Sequence, residues 1–119
     1  MNTYNSIAVQ VKREFTARYK EAFGKGPENT SVEIIGDVIV IKLQGFLTPL
    51  EQAMHRLPDG AGKIEGIRDS VYCYLLSKLG AKLERLTGKS IKKVLKDLNL
   101  DEDIEHVFLI MEGVIEEVG

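Results

Sequence analysis

Apolar side chains near the N-terminus recur at every fourth position, which is the spacing of one face of an α-helix. The apolar positions are Ile7, Val11, Phe15, Tyr19 and Phe23. Gly24 suits the left-handed position that ends many helices, and Pro27 prevents the helix from resuming. We therefore predict a first helix that ends near Phe23.

β-branched residues dominate the next part of the chain, in two runs at residues 31–35 and 38–43. The pair Gly36-Asp37 between them fits a two-residue turn with glycine first, so the two runs predict an antiparallel hairpin. Residues 38–41 are apolar on both faces of the second strand. We expect this strand to be central in its sheet, with helices on one face and a subunit partner on the other.

The stretch GFLTPLEQ, residues 45–52, carries the signals of a helix start. The Thr48 hydroxyl can accept a hydrogen bond from a first-turn amide, Pro49 suits the first helical position, and Glu51 completes a capping box. The sequence LPDG at residues 57–60 is a strong break. The pattern predicts a short second helix.

A longer amphipathic helix is predicted over residues 63–86, because its apolar positions step by three or four. These positions are Ile64, Ile67, Val71, Leu75, Leu79, Leu83 and Leu86. Gly88 then closes the run. Tyr72 and Leu76 widen the apolar surface beyond one stripe, so we expect both to be exposed at an interface with a partner.

Local signals conflict in the C-terminal part. Within residues 91–98 the apolar side chains have helical spacing, but some of them can also alternate with lysines in a strand. The sequence HVFLIM at residues 106–111 is typical of a buried strand that needs neighbours for its backbone groups. We therefore predict a second hairpin, turning at residues 101–103. The order α-β-β-α-α-β-β then predicts an α+β fold, a two-layer sandwich of a four-stranded, mainly antiparallel sheet and a helix layer.

Length and composition fit a single domain spanning residues 1–119. The chain has 119 residues, of which 44% are apolar and 29% charged, as in globular proteins. The N-terminus lacks the segments of a signal peptide and no apolar stretch approaches the ~20 residues that span a bilayer, so we expect a soluble, cytoplasmic chain. A single cysteine, Cys73, excludes an internal disulfide. With no Cys/His spacing for zinc, we expect no metal site and no cofactor.

Charge is unevenly distributed along the chain. Residues 78–96 contain seven basic residues against one acidic residue, and residues 97–119 contain eight acidic residues and no lysine or arginine. The basic segment could bind nucleic acid, but such binding usually comes with a clearly basic domain, and the net charge here is -2. We instead expect the two segments to pair across the C-terminal hairpin, and we expect no nucleic-acid partner.

Four polar residues form the leading candidate for a ligand site. The amides and the dipole at the helix start at Thr48 favour an anion, although Glu51 supplies a negative charge there itself. His55 follows in sequence, and Arg68 could approach if the long helix folds back across this segment. Glu51, His55 and Arg68 could then form a polar pocket with a titratable imidazole. The alternative interpretation is a helix cap, a solvated histidine and a surface ion pair.

Gly24, Lys25 and Gly26 are another candidate for anion binding, because glycines let backbone amides approach an anion and Lys25 adds charge. A phosphate loop would lie between a strand and a following helix, whereas this segment follows a helix and precedes a strand. We therefore favour a helix end and a turn here. We assign no catalytic residue.

Several landmarks in this order resemble the YbcI-like family of small bacterial proteins, which carry the MpsC domain. They are FGKGP at residues 23–27, the apolar hairpin, GFLTPLEQ at residues 45–52, Arg68, and LTGKSI at residues 86–91. The resemblance spans nearly the whole chain and implies a strand after residue 91. It also implies a component of a sodium-translocating, membrane-potential-generating system, in a family without an established enzymatic activity.

Taken together, these features favour a non-enzymatic interaction subunit that forms a homodimer and binds a membrane-protein partner without spanning the membrane itself. The two-sided apolar strands and the wide apolar face of the long helix exceed what one small helix layer covers. The alternative is a small-molecule or anion-binding protein, with enzymatic activity left open. Its site would lie at the helix start at Thr48, with Glu51, His55 and Arg68.

Overall fold

The computed structural model describes residues 3–115, which form three helices and four strands in the predicted order. The helices are α1 (Thr3–Phe23), α2 (Pro49–His55) and α3 (Gly60–Thr87), and the strands are β1 (Asn29–Ile35), β2 (Val38–Gln44), β3 (Ile91–Asn99) and β4 (Ile104–Met111). The strands pair in the order β1-β2-β4-β3, antiparallel throughout. The predicted α+β sandwich built from two hairpins is confirmed.

β3 is a strand despite the helical spacing of its apolar residues. It pairs with β4, with one irregularity in register between Ile91 and Lys93. β4 is a central strand between β2 and β3, and its backbone groups on the β3 side would otherwise lie unpaired. The pairing demand of the sheet therefore outweighs local helix propensity in this segment.

The junction between α2 and α3 is tight, and Gly60 makes it possible. A Cβ atom at Gly60 would lie 1.6 Å from the carbonyl oxygen of Met54, so only glycine lets the backbone return this closely. α3 then packs against both α2 and α1. This return path brings the first half of α3 next to the start of α2.

The two faces of the sheet have different environments. The inward side chains of β2 and β4 are buried against α1 and α3; they are Ile39, Ile41, Leu43, Val107, Leu109 and Met111. Alternation along the strands puts a second apolar set on the opposite face. That set is Ile35, Val38, Val40, Leu95, Phe108 and Ile110. We call it the open face, because the helices of residues 3–115 pack on the other side.

The predicted pairing of basic and acidic segments across the C-terminal hairpin is wrong. Lys96 lies opposite the apolar Val107 in the register of β3 and β4. Its ammonium group pairs instead with Asp69 of α3, and Lys82 pairs with Glu14 of α1 at 3.2 Å. Both lysines therefore find carboxylates in the helix layer.

Candidate functional site

Arg68 is the centre of a buried polar cluster. Its side chain is only 1% exposed, and its guanidinium contacts carboxylates from two other elements. Nη1 donates a hydrogen bond to Oε2 of Glu51 at 2.9 Å, and Nη2 donates to Oε1 of Glu105 at 3.2 Å. The two carboxylates compensate for the hydration that the arginine loses on burial.

Two tyrosines complete the cluster. Arg68 Nη2 also donates to the hydroxyl oxygen of Tyr19 at 2.5 Å, and the Tyr72 hydroxyl donates to Glu105 Oε1 at 2.6 Å. Burial raises the pKa of Tyr19 to about 12, although the charge of Arg68 opposes the rise. Burial and the Glu105 carboxylate raise the pKa of Tyr72 above its ordinary value. Both hydroxyls therefore stay protonated at neutral pH.

Aromatic rings surround the Arg68 guanidinium. Its central carbon lies 4.4 Å from the ring centroids of both Phe23 and Phe46, with Tyr19 and Tyr72 farther out at 5.6 and 5.9 Å. These are cation–π distances, and arginine suits them because its planar cation is weakly hydrated. The five polar residues Tyr19, Glu51, Arg68, Tyr72 and Glu105 are called the Arg68 cluster from here on.

The Arg68 guanidinium stays protonated in this environment. Burial by itself lowers the pKa of a guanidinium, because it disfavours the charged form. Tyr19 and the carboxylates of Glu105 and Glu51 more than offset this effect, so the pKa of Arg68 lies above its ordinary value. The cluster therefore contains a permanent cation held between two acidic side chains.

Glu51 belongs both to this cluster and to the cap of α2. The Thr48 hydroxyl accepts from the Glu51 N–H at 3.2 Å, and Glu51 Oε1 accepts from the Thr48 N–H at 3.0 Å, which confirms the predicted capping box. The Asp103 carboxylate accepts from the amides of Phe46 and Leu47 at 2.8 and 2.9 Å. Carboxylates of the chain itself therefore already accept hydrogen bonds from the amides of Phe46, Leu47 and Thr48, which directly precede α2.

His55 lies outside the cluster. Its Nε2 is 3.2 Å from Oδ1 of Asp101, in the turn between β3 and β4, and its Nδ1 has no hydrogen-bond partner within residues 3–115. The polar pocket predicted from Glu51, His55 and Arg68 therefore forms in part. Glu51 and Arg68 meet as a buried ion pair rather than a surface one, and His55 does not join them.

The segment Gly24-Lys25-Gly26 is a helix end. Gly24 has φ 80°, and its N–H donates to the carbonyl oxygen of Lys20 at 2.8 Å. Lys25 is exposed. The geometry matches the favoured interpretation of this segment as a helix end and a turn.

The expectation that Tyr72 is exposed is wrong. Its ring packs against Phe15 and Phe23 with centroid separations of 6.4 and 5.8 Å, and its hydroxyl bonds to Glu105. Leu76 is half-buried and packs against the core. The part of the apolar face of α3 that carries Tyr72 and Leu76 therefore packs into the core, to a greater extent than the sequence indicated.

The two residues that sequence reasoning missed are Tyr19 and Glu105. Glu105 alternates in phase with Val107 and Leu109 on the inward face of β4, so strand periodicity alone could have placed its carboxylate in the core. A buried carboxylate requires a partner. Tyr19 lies in the apolar stripe of α1, where its hydroxyl was the only sign of a polar role.

The cluster joins α1, α2, α3 and β4 through one arginine. One polar atom of the cluster, Arg68 Nε, is buried and has no hydrogen-bond partner within residues 3–115. A cleft of about 240 Å³ adjoins Arg68 and is also lined by Glu65, Asp69 and Lys96. Among residues 3–115, no group of three His, Cys, Asp or Glu side chains is arranged to hold a metal ion.

Comparison with known proteins identifies the family. A family model described as "Na+-translocating membrane potential-generating system (MpsC)" matches residues 3–113. The uncharacterized protein YrhF of Bacillus subtilis (strain 168) is 30% identical over 99 residues, which cover 82% of this chain and 81% of YrhF. The uncharacterized protein YbcI of the same organism is 26% identical over 94 residues, covering 79% of this chain and 76% of YbcI. No solved structure matches. Because the family model covers nearly the whole chain, this protein belongs to the MpsC family.

Proposed function

We propose that this chain is a non-enzymatic interaction subunit that binds a protein of the membrane-potential-generating system named in the family description. The observation that carries the proposal is apolar surface on α2 and α3 that residues 3–115 leave uncovered. Met54, Ile67, Val71 and Tyr74 form this surface, which we call the helix stripe. Ile67 is 52% exposed, and Gly66 beside it adds no side chain to the cleft between α2 and α3. Contiguous exposed apolar surface of this kind is typical of protein-binding sites.

The association with a membrane system would require such a partner. None of the helices within residues 3–115 has the length and apolarity needed to cross a bilayer. The family description supplies the membrane system, and the helix stripe supplies a surface through which this chain would attach to it. The partner protein would present complementary apolar side chains.

The chemistry of the Arg68 cluster supports a non-enzymatic role. Both tyrosines have raised pKa values, so they are protonated and weakly nucleophilic at neutral pH. The carboxylates of Glu51 and Glu105 already accept hydrogen bonds from the cluster. These contacts connect four elements and are suited to fixing the fold.

The test is affinity purification of the tagged chain from gently cross-linked, detergent-solubilised membranes of cells that express it. We expect a membrane protein of this system to copurify with the wild type and to be lost with Ile67→Glu. Val9→Glu is the matched control, because Val9 is 55% exposed on α1 and receives the same change away from the helix stripe. A circular dichroism melt checks that both variants fold. Recovery of the chain alone, or equal loss in both variants, would contradict the proposal.

A second candidate function is the binding of a small polar ligand in the cleft beside Arg68. The unpaired, buried Arg68 Nε favours it, because such a donor gains a hydrogen bond from an incoming acceptor. A thermal-shift screen of small carboxylates and phosphates would detect a ligand by a rise in Tm. We expect the rise to vanish in Lys96→Ala, which alters the cleft lining, and to persist in Lys92→Ala, an exposed lysine of the same strand. A screen without a hit would remove this candidate.

A further inference from the structure

The open face presents a continuous apolar surface on the side of the sheet opposite the helix layer. Strand register arranges it in two adjacent rows. The first row runs across β1, β2 and β4 and consists of Ile35, Val38 and Ile110. The second row runs across β2, β4 and β3 and consists of Val40, Phe108 and Leu95. Ile35 is 61% exposed and Leu95 is 45% exposed. These rows give the sheet a second face that favours burial.

Two opposite charges flank these rows at opposite edges of the sheet. Lys93 of β3 lies opposite Ile110 and so ends the first row. Glu33 of β1 lies opposite Val40 and so begins the second row. Both side chains are exposed. The edge strand β1 therefore carries an acidic residue and the edge strand β3 carries a basic one, with the apolar surface between them.

The next row along the strands marks the boundary of the apolar surface. It consists of Ser31, Lys42, His106 and Asp97. His106 Nδ1 lies 4.0 Å from Asp97 Oδ2, and Asp97 is largely exposed. A polar border next to a compact apolar patch is the usual anatomy of a protein interface.

We infer that a second copy of this chain covers the open face, in a two-fold symmetric dimer with β1 of one copy over β3 of the other. A two-fold axis parallel to the strands produces this arrangement, and packed sheets lie ~10 Å apart with nearly aligned strands. Glu33 of one copy and Lys93 of the partner subunit then lie in adjacent rows. They are offset from each other by about 7 Å along the strand, so their side chains can pair. The symmetry makes this ion pair twice.

Charge selects this arrangement over the other face-to-face dimer. A two-fold axis across the strands would place β1 over β1, so that both copies put Glu33 at one edge and Lys93 at the other. Like charges would then gather at each edge, which is unfavourable. The parallel axis instead joins opposite charges at both edges and apolar rows at the centre. The open face therefore complements itself, independently of the helix stripe.

The first test is the mass of the untagged chain in solution, measured by light scattering after gel filtration. We expect twice the chain mass of 13.3 kDa for the wild type and the single chain mass for Leu95→Glu. Ile67→Glu is the control, because it introduces the same charge on an exposed apolar residue of the helix stripe, and we expect it to stay dimeric. A monomeric wild type, or a dimer that persists in Leu95→Glu, would overturn the inference.

The second test examines the orientation of the two copies. We expect Glu33→Lys and Lys93→Glu each to weaken dimerisation about tenfold, because each creates two like-charge contacts, and the double variant to recover most of the loss. No recovery in the double variant would overturn the orientation. These outcomes separate this inference from the proposed function. A monomer whose membrane partner is still lost in Ile67→Glu would contradict the dimer and leave the interaction subunit standing.

Discussion

At the scale of single residues, Arg68 is the side chain on which most of the buried polar contacts depend. It neutralises the largely buried carboxylates of Glu51 and Glu105, and it donates to Tyr19. Breaking a buried pair by removing one partner is costly because the remaining charge is uncompensated. The stability of the chain should therefore respond far more to Arg68 than to any surface arginine.

We predict that Arg68→Met lowers the free energy of unfolding by about 3–5 kcal/mol, because it leaves two carboxylates without a counter-charge. Urea unfolding followed by circular dichroism measures the loss. Arg13→Met is the control, since Arg13 is exposed and its replacement should change stability by less than about 0.5 kcal/mol. Adding Glu105→Gln to Arg68→Met should restore part of the stability. Equal effects of the Arg68 and Arg13 variants would contradict this account.

A second prediction concerns Tyr19 at high pH. Its pKa is about 12 in the folded chain and about 10 in the unfolded chain, so the folded state holds this proton more tightly. The contribution to stability is complete below pH 10 and is lost as the pH rises through about 12. We expect Tyr19→Phe, which cannot ionise, to lose stability less steeply over this interval. Parallel urea-unfolding profiles for the two proteins would argue against the buried phenol.

At the scale of secondary-structure elements, the position of Arg68 depends on how α2 joins α3. The capping box sets the start of α2, and the close approach at Gly60 sets the return of α3. β4 contributes Glu105 from the sheet, so the cluster forms only when helix layer and sheet are both in place. The cap and the tight junction depend on residues that are close in sequence. The contact between Arg68 of α3 and Glu105 of β4 joins residues that are far apart in sequence.

Gly60→Ala and Gly62→Ala form a matched pair for testing the junction. The new methyl group at Gly60 would collide with the Met54 carbonyl, and we expect a loss of about 1–3 kcal/mol in unfolding free energy. At Gly62 nothing lies within 4 Å of an added Cβ, and alanine should stabilise the helix by ~0.5–1 kcal/mol. Thermal and urea unfolding measure both. Stabilisation by Gly60→Ala would mean that the two helices join differently.

At the scale of the whole molecule, the chain has two separate apolar surfaces. The helix stripe lies in the helix layer, and the open face lies across the sheet from it. A dimer through the open face would leave the helix stripe of each copy available for a partner, so the two proposals are compatible. Assembly would then supply the second covering layer that the sheet lacks within residues 3–115.

This arrangement predicts that thermal stability depends on concentration. Because dimerisation stabilises only the folded state, the Tm of the wild type should rise with chain concentration, whereas the Tm of Leu95→Glu should not. Differential scanning calorimetry over a wide range of concentration measures this. Ile67→Glu should keep the wild-type dependence. A wild-type Tm that is independent of concentration would show that folding and assembly are not linked.

Local sequence patterns were sufficient to predict much of the secondary structure of this protein. The four-residue spacing in α1, the glycine-first turn after β1, and the Thr48 cap each act through neighbouring residues, so each was readable along the chain. Runs of consecutive apolar residues in β2 and β4 likewise predicted strands with two apolar faces. These signals predicted the order of the elements except at β3, where local spacing also fitted a helix and the need of β4 for a pairing neighbour decided for a strand.

Tertiary structure decided the rest, because the decisive contacts join residues far apart in the chain. Arg68 meets a carboxylate 17 positions earlier and another 37 positions later, and no local spacing encodes either meeting. Tyr72 is buried for the same reason, since its cover comes from α1 and its hydrogen-bond partner from β4. Periodicity tells which face of an element is apolar, but only the packing of distant elements determines which part of that face is covered.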